Sequence, residues 1–141
     1  MIEDSSDLGV FMQRVRFYEY GGPDVLRVED AEAPQAGPGE LLVQTEAIGV
    51  TLPSVRKVRG EGAAALPGML GGEVAGQVAA LGPGVTGFEV GDRITGISFA
   101  GSYAELVVVP AFVAIAWLGD NAIVGLADGR VLAINCKGQR P

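Results

Sequence analysis

The feature that most limits what this chain can fold into is its punctuation by glycine. In LPGMLGGEVAGQVAALGPGVTGFEVGDRI, from Leu66 to Ile94, no apolar run goes beyond a few residues before glycine interrupts it. A stable amphipathic helix needs apolar residues at i, i+3, i+4 and i+7, and an interior glycine costs it about 1 kcal/mol. A strand needs only about four to eight residues between turns. The same texture runs through the whole chain, with 22 glycines and 8 prolines that follow no period. Collagen and flexible-linker readings therefore fail. With 48% hydrophobic and 19% charged residues in 141 positions, one globular domain with a real core is expected. No long amphipathic helix and no internal repeat is visible, so the fold class is mainly β, a barrel or sandwich with few short helices.

The expected elements follow from local pattern. Residues 1–10 read as a loose acidic leader. Val15 and Phe17 alternate with Arg14 and Arg16, and Val25 to Val28 makes a second short strand after the turn Tyr20 to Asp24. Ala33 to Gly39 is a rigid loop, Glu40 to Val50 a longer apolar segment, and Thr51 to Arg59 has room for one helical turn restricted by Pro53. Ala63 to Gly72 reads as a loop. Further strands are expected over Val74–Leu81, Asp92–Ser98, Tyr103–Val109, Phe112–Trp117, Ala122–Leu126 and Arg130–Ile134, the last two joined by an Ala127-Asp128-Gly129 hairpin turn.

Gly82-Pro83-Gly84-Val85-Thr86-Gly87 fits the G-x-G-x-x-G spacing of a dinucleotide site. Such a fingerprint works because a helix follows it, offering unpaired N–H groups to a pyrophosphate. Here Phe88 to Ile94 follows, short, broken by Gly91 and strand-like, and Pro83 removes one donor. The expected role is a Pro-Gly β-turn between strands. Gly71, Gly72 and Gly76 are expected to permit positive φ and close backbone approach where a strand begins, and Gly91-Asp92 is a tight turn. Glu73 sits among small apolar neighbours. It is either a carboxylate in a cleft or a buried acceptor tying down loop N–H groups.

Composition excludes several functions. Ten Lys plus Arg against seventeen Asp plus Glu give a net charge of −7, so nucleic acid is not an expected partner. Arg56, Lys57 and Arg59 form the one basic cluster, expected to be a solvated face. The chain has no histidine, the commonest general base and zinc ligand. A lone Cys136 forms no internal disulfide and is expected to be a small packed or surface side chain. The acidic start Met1-Ile2-Glu3-Asp4 is unlike a signal peptide, and no apolar run reaches the roughly 18 residues of a membrane helix. A cytoplasmic location without membrane contact is the expectation.

Residues Arg16 to about Ala111 resemble the N-terminal GroES-like domain of medium-chain dehydrogenases/reductases. The zinc-independent quinone oxidoreductase and enoyl reductase branch is the nearest. The resemblance is carried by Tyr20-Gly-Gly-Pro-Asp-Val-Leu26, Gly37-Pro-Gly-Glu-Leu-Leu-Val43, Gly49-Val50, Arg59-Gly60, Leu66-Pro67 and Gly71-x-Glu73-Val-Ala-Gly76. Val78-x-x-x-Gly82-Pro-Gly-Val85, Phe88-x-x-Gly91-Asp-Arg93 and Gly101-Ser-Tyr-Ala-Glu105 complete it. It implies a partly open β barrel forming one wall of an active-site cleft, with a separate Rossmann domain carrying NADPH as the other. Zinc-dependent relatives place Cys at the position of Thr51 and His at that of Gly72, so no metal is expected. The zinc-independent branch has Asn at the position of Thr51 and Asp at that of Ser54. Thr and Ser retain hydrogen-bonding hydroxyls there but alter the family's catalytic geometry.

These expectations divide the chain into a leader (1–10), a GroES-like domain (11–111) and divergent C-terminal strands (112–141) packing on the same barrel. Residues 112–135 are expected to close an otherwise open sheet edge. The substrate-cleft candidates are Thr51, Ser54, Gly72 and Glu73. No residue is assigned a catalytic, cofactor-binding or metal role. The expected function is that of a substrate-side domain, not catalytically complete alone, with NADPH entering only through a Rossmann-bearing partner chain. The alternative is a non-enzymatic module that binds a small apolar ligand or a second copy of itself.

Overall fold

The computed structural model describes residues 10–62, 64–113, 115–118, 121–125 and 131–135. It is mainly β, with two antiparallel sheets, one short α-helix and two 3-10 turns over Pro23–Val25 and Ala111–Val113. The strands are β1 (Phe11–Phe17), β2 (Leu26–Glu32), β3 (Glu40–Ile48), β4 (Gly68–Met69), β5 (Glu73–Leu81), β6 (Arg93–Ile97), β7 (Leu106–Pro110), β8 (Ile115–Leu118), β9 (Asn121–Gly125) and β10 (Val131–Asn135), with helix α1 (Leu52–Val58) after β3. One sheet has the order β2-β1-β4 and the other β10-β9-β8-β6-β5-β3-β7. The sheets are joined where β1 meets the segment before β7. Val15 N–H donates to Tyr103 O at 2.8 Å and Glu105 N–H to Gln13 O at 3.0 Å. The result is the expected partly open barrel.

Period-2 patterning places the core. Leu41 and Val43 on β3, Val74 and Val78 on β5, Ile94 on β6, and Val107 and Val109 on β7 are all buried on one face. Register brings them together: Leu41 lies opposite Val109, and Val43 opposite both Val107 and Val78. Phe88 closes this cluster from the loop before β6. A smaller cluster of Phe17, Val25, Val58 and Leu70 packs between β1, α1 and the start of the Leu70 loop.

Most elements fall where pattern placed them, with instructive departures. Phe88 to Asp92 is turn and loop rather than strand, since Gly91 at φ +94° and an Asp92 N–H to Glu89 O bond reverse the chain. The strand expected from Phe112 is a 3-10 turn until Val113, with β8 beginning at Ile115 and pairing along the edge of β6. Arg56 of the basic cluster is exposed, but Lys57 is drawn inward, its Nζ donating to Met69 O at 2.7 Å. The Ala127–Gly129 turn, residues 1–9 of the 1–10 leader and Cys136 lie outside the described residues.

The Gly82–Gly87 loop is the turn its sequence suggests. Gly82 N–H donates to Glu40 O at 2.8 Å, Val85 N–H to Gly82 O at 3.3 Å, and Gly84 and Gly87 have φ near +80°. Two of the loop's N–H groups are thus engaged inside the protein, Pro83 has none, and no helix follows to present a row of donors to a pyrophosphate.

Candidate functional site

Helix α1 builds one side of a cleft of about 370 Å³. Thr51 is extended (φ −117°, ψ 159°), and Pro53 sits in the first turn, where its missing N–H is no loss. The helix ends in a Schellman motif. Glu61 N–H donates to Arg56 O at 2.9 Å, Gly60 N–H to Lys57 O at 3.1 Å, and Gly60 takes φ +83°. Tyr20 lies against that glycine so closely that an added Cβ would sit 3.0 Å from its ring, and its hydroxyl donates to Ala64 O. Gly21 N–H donates to Val58 O at 2.9 Å. The Tyr20–Pro23 turn is thereby stapled to the end of α1.

The cleft opens between these two segments. Val50, Ser54, Val55, Val58 and Arg59 face Gly21, Gly22, Pro23 and Leu26, with Leu70 and Tyr103 at the base. Val58 and Leu70 also belong to the smaller core cluster, so the floor is continuous with packed interior. The lining is overwhelmingly apolar, and the lining residues with polar side chains are Ser54, Tyr103 and Arg59. Such a surface excludes water around a small apolar molecule and offers few groups to orient it. A second cleft of about 350 Å³ adjoins it, sharing Leu70 and Tyr103. Arg14, Glu32 and Glu40 give it charges of both signs.

The loop carrying Gly72 and Glu73 is clamped from one side. Ser102, fully buried, accepts Gly72 N–H on Oγ at 3.0 Å and donates its own N–H to Leu70 O at 2.8 Å. Ser98 N–H donates to Gly72 O at 2.8 Å. Gly71 takes φ +87°, and a Cβ there would lie 2.1 Å from Ser102 Oγ. Gly72 has neither restriction: no atom lies within 4 Å of where its Cβ would be. Grouping Gly72 with Gly71 and Gly76 as conformationally required is therefore corrected. Gly71 needs the φ, Gly76 needs the approach to Gln44 O, and Gly72 needs neither.

Of the four candidates, the fold places Ser54 in the cleft, largely buried. Thr51 precedes α1, half-buried, without capping it through its side chain. Glu73 is exposed, so it is not a buried acceptor. Its carboxylate lies over Gly49, where an added Cβ would be 3.2 Å from Oε2. Sequence pattern missed Arg59, Tyr103 and Leu70 as cleft residues. Arg59 was grouped with its basic neighbours by charge, and nothing local to Tyr103 or Leu70 signals an approach to α1. Among the described residues no group of three or more His, Cys, Asp or Glu side chains has metal-binding geometry, and no helix is long and apolar enough to cross a membrane.

An ionic cluster lies apart from the cleft. Glu29 accepts Tyr18 Oη–H at 2.5 Å and Arg14 Nε–H at 2.9 Å, with Arg16 Nε at 3.8 Å. The hydrogen bond from Tyr18 holds the Glu29 carboxyl below the usual range, and the bond to Glu29 holds the Tyr18 phenol above its own.

Comparison with known proteins locates this geometry. The alcohol dehydrogenase GroES-like domain matches residues 37–118. A quinone oxidoreductase of Pseudomonas aeruginosa is 38% identical over 119 residues, covering 83% of this chain and 34% of the relative. The Escherichia coli quinone oxidoreductase, solved in complex with NADPH, superposes with TM-score 0.71 at 30% identity, covering 75% of this chain and 33% of that one. A mycobacterial quinone oxidoreductase gives TM-score 0.69 at 42% identity, covering 77% and 34%. The chain thus spans about a third of the length of these relatives.

Proposed function

The chain belongs to the alcohol dehydrogenase GroES-like domain family and is related to quinone oxidoreductases, and on that premise we propose that it forms the substrate-side wall of an NADPH-dependent oxidoreductase cleft. The observation that carries this reading is the apolar cleft against α1, lined by Ser54. The glycine loop with dinucleotide-like spacing, Gly82 to Gly87, is a turn with no helix after it, and its Gly82 and Val85 N–H groups go to Glu40 O and Gly82 O. Hydride chemistry is therefore assigned to a separate cofactor-binding domain, which brings the nicotinamide.

This chain's own residues bind and orient. The cleft walls exclude water, and the Ser54 hydroxyl, with Thr51 just before the helix, provides hydrogen bonds to a substrate carbonyl oxygen. The reading is zinc-independent. By the family resemblance Thr51 and Gly72 stand where zinc-dependent relatives hold Cys and His, and neither offers a metal-ligating side chain of those types.

Titrating NADPH into the purified 141-residue chain, followed by nucleotide fluorescence, tests the division of labour. No saturable binding is expected, and tight binding by this chain alone would overturn it. A second reading, a non-enzymatic module that binds a small molecule or a second copy, is favoured by the exposure of Val50 (76%) and Leu52 (58%) beside the cleft. A concentration-dependent dimer in light scattering, together with absent NADPH binding, selects that reading.

A further inference from the structure

The cleft beside α1 has a charge asymmetry that its apolar walls do not explain. Arg59 is its one charged lining residue, and no carboxylate is among the residues that line it, although acidic residues outnumber basic ones seventeen to ten in the chain. The other described cations are engaged. Arg14 and Arg16 meet Glu29, Arg56 meets Glu61, and Arg93 meets Glu46. Arg27 donates to the carbonyls of Asp24 and Leu26, and Lys57 to that of Met69. Among the described residues Arg59 alone has neither an ion pair nor a side-chain hydrogen bond, and it stands at the cleft.

We propose that this cleft takes an amphipathic monoanion, an apolar chain or ring carrying a carboxylate. The carboxylate lies on the Arg59 guanidinium and the apolar body against Val50, Val55, Val58 and Leu70. A guanidinium offers a planar fork of donors that matches a carboxylate. Arg59 is exposed, so its contribution is modest and salt-sensitive, and burial of the apolar body supplies most of the affinity. The proposal rests on the reading of the cleft as a ligand site and adds the sign of the ligand's charge.

Octanoate and 1-octanol, matched in apolar length, are the probes, titrated calorimetrically into the 141-residue chain. Octanoate is expected to bind about five- to tenfold more tightly at low salt, an advantage that shrinks in about 0.5 M NaCl. Arg59→Gln is expected to bring octanoate down to the level of 1-octanol while leaving 1-octanol unchanged, and Arg59→Lys to keep part of the preference. Arg59 also caps the C-terminal end of α1, where a cation complements the helix dipole. If that were its whole role, Arg59→Gln would lower the melting temperature with the octanoate preference intact, and that result overturns the proposal. Equal binding of both probes by the native chain removes the anion and leaves the ligand-site reading standing. Binding of neither overturns both.

Discussion

The two apolar clusters of this barrel are built from the same residue types and serve different ends. The larger one, with Leu41, Val43, Val74, Val78, Phe88, Ile94, Val107 and Val109, is built from strands β3, β5, β6 and β7 and the loop before β6, and no member is more than 5% exposed. The smaller one, with Phe17, Val25, Val58 and Leu70, is left open on the α1 side, and two of its members form the floor of the cleft. Alternation along paired strands closes a core by itself, because every second side chain meets its counterpart across the ladder. A short helix crossing a sheet edge has no such ladder. It leaves a gap wherever its side chains are small, and here those are Ser54, Val55 and Val58, with Val50 just before the helix.

The comparison can be broken most severely at the larger cluster. Deleting residues 112–141 strips β8 from β6, whose Ile94 belongs to that cluster. Aggregation or loss of cooperative melting is expected, and a soluble truncation with a sharp calorimetric transition would show the edge to be dispensable. Leu41→Ala, at a fully buried position, should cost about 2–5 kcal/mol in urea denaturation while leaving octanoate affinity unchanged. Gly76→Ala drives a Cβ to 2.0 Å from Gln44 O and should cost about 1–3 kcal/mol by the same assay. Gly72→Ala, four residues earlier in open space, should be neutral or stabilising by up to about 1 kcal/mol. A large loss there would show an unseen constraint on that loop.

The open cluster should answer differently. Val55→Trp, at a partly exposed cleft position, should change stability by only about 0.5 kcal/mol yet weaken octanoate binding at least about tenfold, measured by calorimetry. The smallest effect is expected outside both clusters, at Glu29. Its lowered carboxyl makes a contribution that is present above the usual carboxylate range and lost as pH falls through the folded-state value. The raised Tyr18 phenol makes one that is present below the usual tyrosine range and lost as pH rises through its folded value. Glu29→Gln should therefore flatten both the acid and alkaline limbs of the melting temperature against pH. Unchanged limbs would assign that pH dependence to other groups.

The sequence by itself determined the short-range features of this protein. Glycine spacing excluded long helices, alternation at Val15 and Phe17 marked β1, short apolar runs between turns marked the strands that became β3, β5, β6 and β7, and the absence of a helix after Gly87 separated a β-turn from a dinucleotide loop. Family membership was legible for the same reason, since Tyr20-Gly-Gly-Pro and Gly71-x-Glu73-Val-Ala-Gly76 are turn and strand signals fixed by local backbone demands. Tertiary structure decided what converges. Arg59 looks like one of three basic neighbours until the Schellman turn and the Gly21 N–H to Val58 O bond bring it to a cleft that its partners Arg56 and Lys57 do not line. Glu73 looks buried from its apolar neighbours, yet as the first residue of β5 it alternates outward from Val74. Gly72 and Gly76 read alike in sequence and differ because only Gly76 faces a partner strand's carbonyl. Apposition of segments thirty to eighty residues apart depends on sheet register and loop closure, and no local pattern encodes either one.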